Sequence, residues 1–258
     1  MPDDAYDALA GVYDWLVPDP LLTPEGSVAA FTSVVDTLRP GAQVLDCAAG
    51  TGQLAVGLAL KGFDVVASDA SRAMIECTQR LATDHGVSVH AVTCTWEQLA
   101  DQGWADAFDA VFCIGNSLTH AAGRAGRRAA LEAMAGVLRQ DGLLVVTSRN
   151  WERVREQGSG LQVADKLTER DNKRGLAIHA WTVAHSWDEP HYLDVAVAFV
   201  DESGGVTTRS QRLQFWPFTR EMLDEDVRAA GLKPASSTYA SGTDRYLITA
   251  RRHRPPPA

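Results

Sequence analysis

The chain has 258 residues, 45% of them hydrophobic, enough for one large domain or a domain carrying a substantial insertion. Its net charge of −9 argues against nucleic acid as a partner, because phosphate binding needs a basic face. No apolar run approaches the roughly eighteen residues of a membrane span, and residues 1–9 carry acids without an apolar core, so a cytoplasmic protein with no membrane partner is expected.

The elements follow in order. Residues 27–38 read as a helix, ended by Arg39-Pro40-Gly41, and 43–47 as a buried strand. A helix over 53–61 closes at Gly62, and a strand spans 64–68. Ser71 caps a helix running to about His85, with Gly86 as its stop. Strands follow at 87–94 and 108–114. A helix over 126–139 places Leu131, Met134, Val137 and Leu138 on one stripe, and Asp141-Gly142 turns the chain into a strand at 143–147. Strands apolar on both faces, alternating with helices, predict a parallel sheet covered on both sides.

Beyond Arg149 the pattern changes. Three extended runs between 175 and 215 break at Asp188-Glu189-Pro190 and Ser203-Gly204-Gly205, which predicts an antiparallel three-stranded insertion at about 160–216. Thr219 caps a helix stopped by Gly231. Strands at 232–238 and 244–250 then form a hairpin, so one strand of the mostly parallel sheet must run antiparallel. The basic, Pro-rich tail from about 252 reads as disordered. Cys47, Cys77, Cys94 and Cys113 form no CxxC pair. They read as reduced core thiols, and no metal site is expected.

The stretch VLDCAAGTGQLAV, residues 44–56, joins a buried strand to a helix. Its Gly50-Thr51-Gly52-Gln53-Leu54-Ala55 matches GxGxxA, so a nicotinamide nucleotide is one reading. Asp46, four residues before Gly50, opposes a diphosphate and suits a cationic ligand instead.

VLDCAAGTG resembles the first motif of class I S-adenosylmethionine-dependent methyltransferases. VVASDASRAM, CTWEQL and FDAVFCIG are similar to the next three motifs, in order and at the expected strand ends. FCIGNSLTH and LLVVTSRNWERV resemble stretches of the glycine and glycine/sarcosine N-methyltransferases. The resemblance implies a Rossmann-like seven-stranded methyltransferase sheet within residues 27–258, an N-terminal lid segment at 1–26, and S-adenosylmethionine as cofactor. It leaves a homo-oligomer open.

Carried over, the resemblance puts Asp46, Ala48, Gly50, Gly52 and Ala70 around the cofactor, and Asp69 on its ribose. Met74, Thr95, Trp96 and Ile114 would border the adenine. Tyr6 and Tyr13 would lie near the sulfonium, with Tyr13, Asn116 and His120 at the reacting centre. Arg149, Asn116 and Trp216 would hold the acceptor, Arg149 through its carboxylate. Read without the family, Asn116 and His120 are turn caps, Trp96 a core tryptophan, Tyr6 and Tyr13 one helix stripe, and Arg149 a surface arginine. His179, Trp181, His185 and Trp187 alternate onto one face of the insertion's first strand, as lid packing or as an aromatic face toward the acceptor. The family's aromatic pair is missing near 161–168, which suits an acceptor larger than glycine. The expected function is methyl transfer to a small carboxylate-bearing amine. A small-molecule O- or C-methyltransferase and a non-catalytic cofactor-binding protein are the alternatives.

Overall fold

The computed structural model describes residues 4–170 and 172–253. Its helices are α1 (Asp4–Leu9), α2 (Pro24–Ala29), α3 (Thr32–Val35), α4 (Gln53–Leu60), α5 (Arg72–Asp84), α6 (Gly123–Val137), α7 (Trp151–Gln157) and α8 (Arg220–Ala229). The main sheet contains β1 (Gln43–Asp46), β2 (Asp64–Asp69), β3 (His90–Thr93), β4 (Phe108–Cys113), β5 (Leu138–Arg149), β11 (Leu232–Ser237) and β12 (Arg245–Arg252). Its strand order is β11-β12-β5-β4-β1-β2-β3. Neighbours from β5 to β3 pair in parallel, and β12 runs antiparallel to both β5 and β11. This is the expected Rossmann-like sheet with one antiparallel strand.

Alternation along the central strands explains why the sheet is covered on both faces. Val44, Ala110, Phe112, Leu143 and Val145 pack with Val28, Phe31, Leu54 and Leu58 on one side. Their sequence neighbours Leu45, Val111, Cys113, Leu144 and Val146 pack with Leu131 and Met134 of α6 on the other. Side chains alternate faces along a strand, so both sets must be apolar to be buried.

The second sheet holds the three expected long strands, β8 (Lys173–Thr182), β9 (His191–Val200) and β10 (Val206–Phe215). Two short ones, β6 (Gly160–Val163) and β7 (Thr168–Arg170), both pair with β8, so the insertion has five strands rather than three. Leu193, Val195 and Val197 of β9 join the core beneath the main sheet, together with Trp151, Trp181 and Phe215.

The single helix expected over 27–38 starts earlier, at Pro24, and breaks into α2 and α3. Thr32, Val34 and Val35 are weak helix formers, and the Thr32 hydroxyl takes the Ala29 carbonyl (2.8 Å) that the next turn would use. β3 is shorter than expected, and β5 begins at Leu138, directly after α6. Among the helical pieces that were not expected are α7 and 3₁₀ segments at Asp19–Leu21, Trp96–Gln102 and Ser117–His120. The tail expected from about 252 is corrected in its first residue: Arg252 belongs to β12, and its guanidinium reaches Asp106 and the Leu138 carbonyl. The rest of that expectation, at 254–258, lies outside the described residues. Among the described residues, no helix is long and apolar enough to cross a membrane.

Candidate active site

A cavity of about 290 Å³ opens where β1, β2 and β4 end. Of the residues expected there, Ala48, Gly50, Asp69, Ala70, Met74, Thr95, Trp96, Tyr6, Tyr13 and His120 line it. Asp46, Gly52 and Ile114 stand behind that lining, and Asn116, Arg149 and Trp216 lie outside it.

The loop after β1 is held in an open cradle. Asp69 accepts the Gly50 N–H on one oxygen and the Ser71 N–H on the other, both at 2.9 Å. The Thr78 hydroxyl donates to the Gly50 carbonyl (3.0 Å). Gly50 has φ +55, a left-handed conformation that favours glycine, and the space beside it is open, with the Tyr13 ring 4.0 Å from where a Cβ would stand. Gly52 serves packing instead, since a Cβ would strike the Thr78 backbone at 2.8 Å. Trp96 is fixed at the cavity's edge by its indole N–H, which donates to the Cys47 carbonyl (2.8 Å). Thr95 and Gln98 close a capping box beside it.

Asp46 is completely buried, and neither carboxyl oxygen finds a hydrogen-bond partner. Burial pushes its pKa up to about 7, a looser approach of the Ala48 amide pulls it back, and the charge of Asp69 adds to the rise. An orphaned buried carboxyl beside a glycine-opened loop fits a ligand with a cationic group, such as S-adenosylmethionine, better than a diphosphate.

The opposite wall comes from the N-terminus. Asp7 accepts from the Ser71 hydroxyl and from the Ala73 N–H (3.2 Å), pinning α1 to the start of α5. This brings Tyr6 and Tyr13 together, edge to face at 6.2 Å. The Tyr6 hydroxyl lies 2.7 Å from His120 Nε2, and His120 Nδ1 lies 2.9 Å from the Gln214 carbonyl. A carbonyl only accepts, so Nδ1 carries the proton and Nε2 accepts from Tyr6. Burial lowers the His120 pKa to about 4 against the pull of Gln214, and raises Tyr6 well above its usual value. The pair is therefore uncharged near neutrality. Phe215, which the sequence did not single out, packs on His120 at 4.7 Å between ring centres.

Asn116 sits in the left-handed region (φ 72) with its side chain engaged: it donates to Thr119 Oγ1 (3.0 Å) and accepts the Arg149 N–H (3.0 Å). It joins β4 to β5. Trp216 gives its backbone N–H to Thr119, and its ring lies beside Gly123. The Arg149 guanidinium stands 5.3 Å over the Trp181 ring. Trp181 itself packs on Trp151 and Phe215, so it serves lid packing, while Trp187 lies under Arg155.

A family model described as a methyltransferase domain matches residues 44–142. The glycine/sarcosine N-methyltransferase of Parasynechococcus marenigrum is 37% identical over 119 residues, 46% of this chain and 42% of that protein. The chain thus spans less than half the length of that relative. The glycine N-methyltransferase of Rattus norvegicus is 34% identical over 203 residues, 73% of this chain and 68% of that protein. In fold, the chain resembles the CcbJ methyltransferase of Streptomyces caelestis, with a TM-score of 0.78 at 22% identity, covering 98% of this chain and 100% of that one. With the motifs, the strand order and a relative matched over two thirds of its length all agreeing, the chain belongs to the glycine N-methyltransferase family of class I S-adenosylmethionine-dependent methyltransferases.

Proposed function

We propose that the protein transfers a methyl group from S-adenosylmethionine to the nitrogen of a small acid-bearing amine. One observation carries this reading: a single cavity is lined by Asp69, Met74 and Trp96 together with Tyr6, Tyr13 and His120. Asp69, Met74, Thr95 and Trp96 would hold the nucleoside, and Gly50, Ala48 and Asp46 the amino-acid portion. When bound, the cofactor supplies an activated methyl on a sulfonium. The chain's own residues then have little covalent chemistry to perform, and positioning carries much of the rate.

Residues 4–15 close one wall and exclude water, and the uncharged Tyr6–His120 pair offers no cation to repel a protonated amine on entry. An amine that sheds its proton in this dry pocket presents its lone pair directly. Arg149, beyond Trp181, would hold the acid group. The names of the relatives, glycine and glycine/sarcosine N-methyltransferases, support nitrogen as the acceptor atom. None of residues 160–168 lines the cavity, which leaves room for an acceptor larger than glycine. Neutral His120 also suits an oxygen acceptor needing a base.

The test incubates purified protein with S-adenosylmethionine and a panel of amino acids, amines and hydroxy acids, following methylated product and S-adenosylhomocysteine by mass spectrometry. N-methylated product is expected. Methylation of hydroxy acids alone would move the reading to oxygen. Cofactor binding without turnover across the panel would indicate a binding protein.

A further inference from the structure

A second hollow, of about 420 Å³, lies beyond the carboxyl end of β5. Arg149, Arg153 and Arg245 line it with Asp244, Gln157 and Gln162. Arg149 is the last residue of β5 and Arg245 the first of β12, and the two are directly opposite partners in the antiparallel ladder. Opposed residues of such a ladder project from the same face, their Cβ atoms about 5 Å apart, where like charges destabilise.

Among the described residues, no carboxylate comes within 4.0 Å of either guanidinium. The nearest acid, Asp244, is already taken by Arg153 at 2.8 Å. Arg149 rests on the Trp181 ring, an apolar support that supplies no counter-charge. Burial, and next the charge of Arg245, lower the Arg149 pKa to about 10, with Asp244 pulling the other way. Arg245 shifts in the same direction: burial of its guanidinium lowers its pKa against the pull of Tyr13 and Asp244, although the residue as a whole keeps solvent access. With Arg153 and Asp244 neutralising each other, the opposed arginines leave two positive charges facing one hollow.

We infer that Arg149 and Arg245 form a two-guanidinium cradle for a doubly negative group on the methyl acceptor, either a phosphate monoester or a pair of carboxylates. A single carboxylate, as in glycine, would leave one arginine uncompensated; a dianion answers both, with fork-shaped donors suited to its oxygens. Tyr13 connects the two places: it lines the cofactor cavity and feels the charge of Arg245. The acceptor amine would lie by Tyr6, Tyr13 and His120, and its anionic end by the arginines. The position of the amine rests on the methyltransferase reading; the cradle rests on the arginines alone.

Calorimetry on the full chain, saturated with S-adenosylhomocysteine, would compare O-phosphoethanolamine, L-aspartate and L-glutamate with glycine and β-alanine. At least one dianion should bind about tenfold tighter than the monoanions, and its identity separates phosphate from paired carboxylates. Arg245→Gln should remove most of that advantage and change glycine affinity by less than about threefold, while Arg245→Lys should restore part of it. S-adenosylhomocysteine binding to each variant reports that it is folded. Equal binding of dianions and monoanions, no binding of either, or an unchanged ratio in Arg245→Gln overturns the cradle. Tight, Arg245-dependent dianion binding with no methylated product would keep the cradle and sink the proposed reaction. Methylation of monoanionic amines indifferent to Arg245 would do the reverse.

Discussion

Asp46 has a folded pKa near 7, so at pH 6 most of the free protein carries it neutral. That value lies above the unfolded one, so folding takes up a proton between about pH 4 and 7, and the free protein loses stability as pH rises through that window. A cationic ligand beside Asp46 favours its ionised form. Affinity for S-adenosylhomocysteine, whose amino-acid portion keeps its ammonium, should therefore fall by up to about tenfold per pH unit below 7. Calorimetry between pH 5.5 and 8 checks this, and Asp46→Asn should flatten the profile. A flat profile in the unmodified protein would remove Asp46 from the ligand's cationic end. His120 behaves oppositely: its pKa near 4 keeps it neutral through this range, so it should add no inflection to kcat/KM above pH 5.5. Tyr6→Phe leaves Nε2 without its donor. If the pair only seals the wall, the variant should lose affinity for both ligands and keep its pH profile. A new inflection between pH 5 and 7 would show that Tyr6 holds the His120 lone pair in check.

Elements act here through a few clasps. The N-terminal wall depends on Asp7 meeting the start of α5. Asp7→Ala should raise the Kd for S-adenosylhomocysteine several-fold with a smaller effect on Tm, because Ala5, Leu9 and Val12 still anchor the segment in the core. The lid is tied down by Trp151, fully buried against Trp181, His191 and Phe215. Trp151→Ala opens a large cavity and should cost about 3–5 kcal/mol by denaturant titration. At the far end, buried Asp226 of α8 receives Arg124, Arg127 and Arg128 of α6. Burial alone would raise its pKa, but the three guanidiniums outweigh this and lower it. The clasp's contribution is therefore present above about pH 4 and lost as pH falls through the depressed folded value.

For the molecule as a whole, α5, the N-terminal segment and the loops after β1 and β4 all border one cavity. A ligand there adds contacts to all of these parts at once. At a hundredfold excess over its Kd, S-adenosylhomocysteine should stabilise the fold by about 2.7 kcal/mol, a rise in Tm of roughly 5–10 °C, measurable by scanning calorimetry. No shift at that excess would place the ligand elsewhere.

What the sequence by itself determined is what local pattern encodes. Apolar alternation in β1, β4 and β5, the caps Ser71 and Thr219, and the glycines after β1 encode the parallel sheet, its one reversed strand and the loop that borders the cavity. Asn150, whose side chain caps α7 by accepting the Arg153 N–H (3.2 Å), is a local signal for that helix. Other features had no local signature, because they depend on which residues register brings together. Arg245 stands opposite Arg149 across 96 positions of sequence only because β12 inserts between β11 and β5. The Gln214 carbonyl sets the His120 tautomer through its backbone, which any residue would supply. The tertiary structure likewise turned Asn116 inward as a clasp and set Trp216 aside. A polar side chain's role is decided by which partner satisfies it once water is excluded, and long-range pairing chooses that partner.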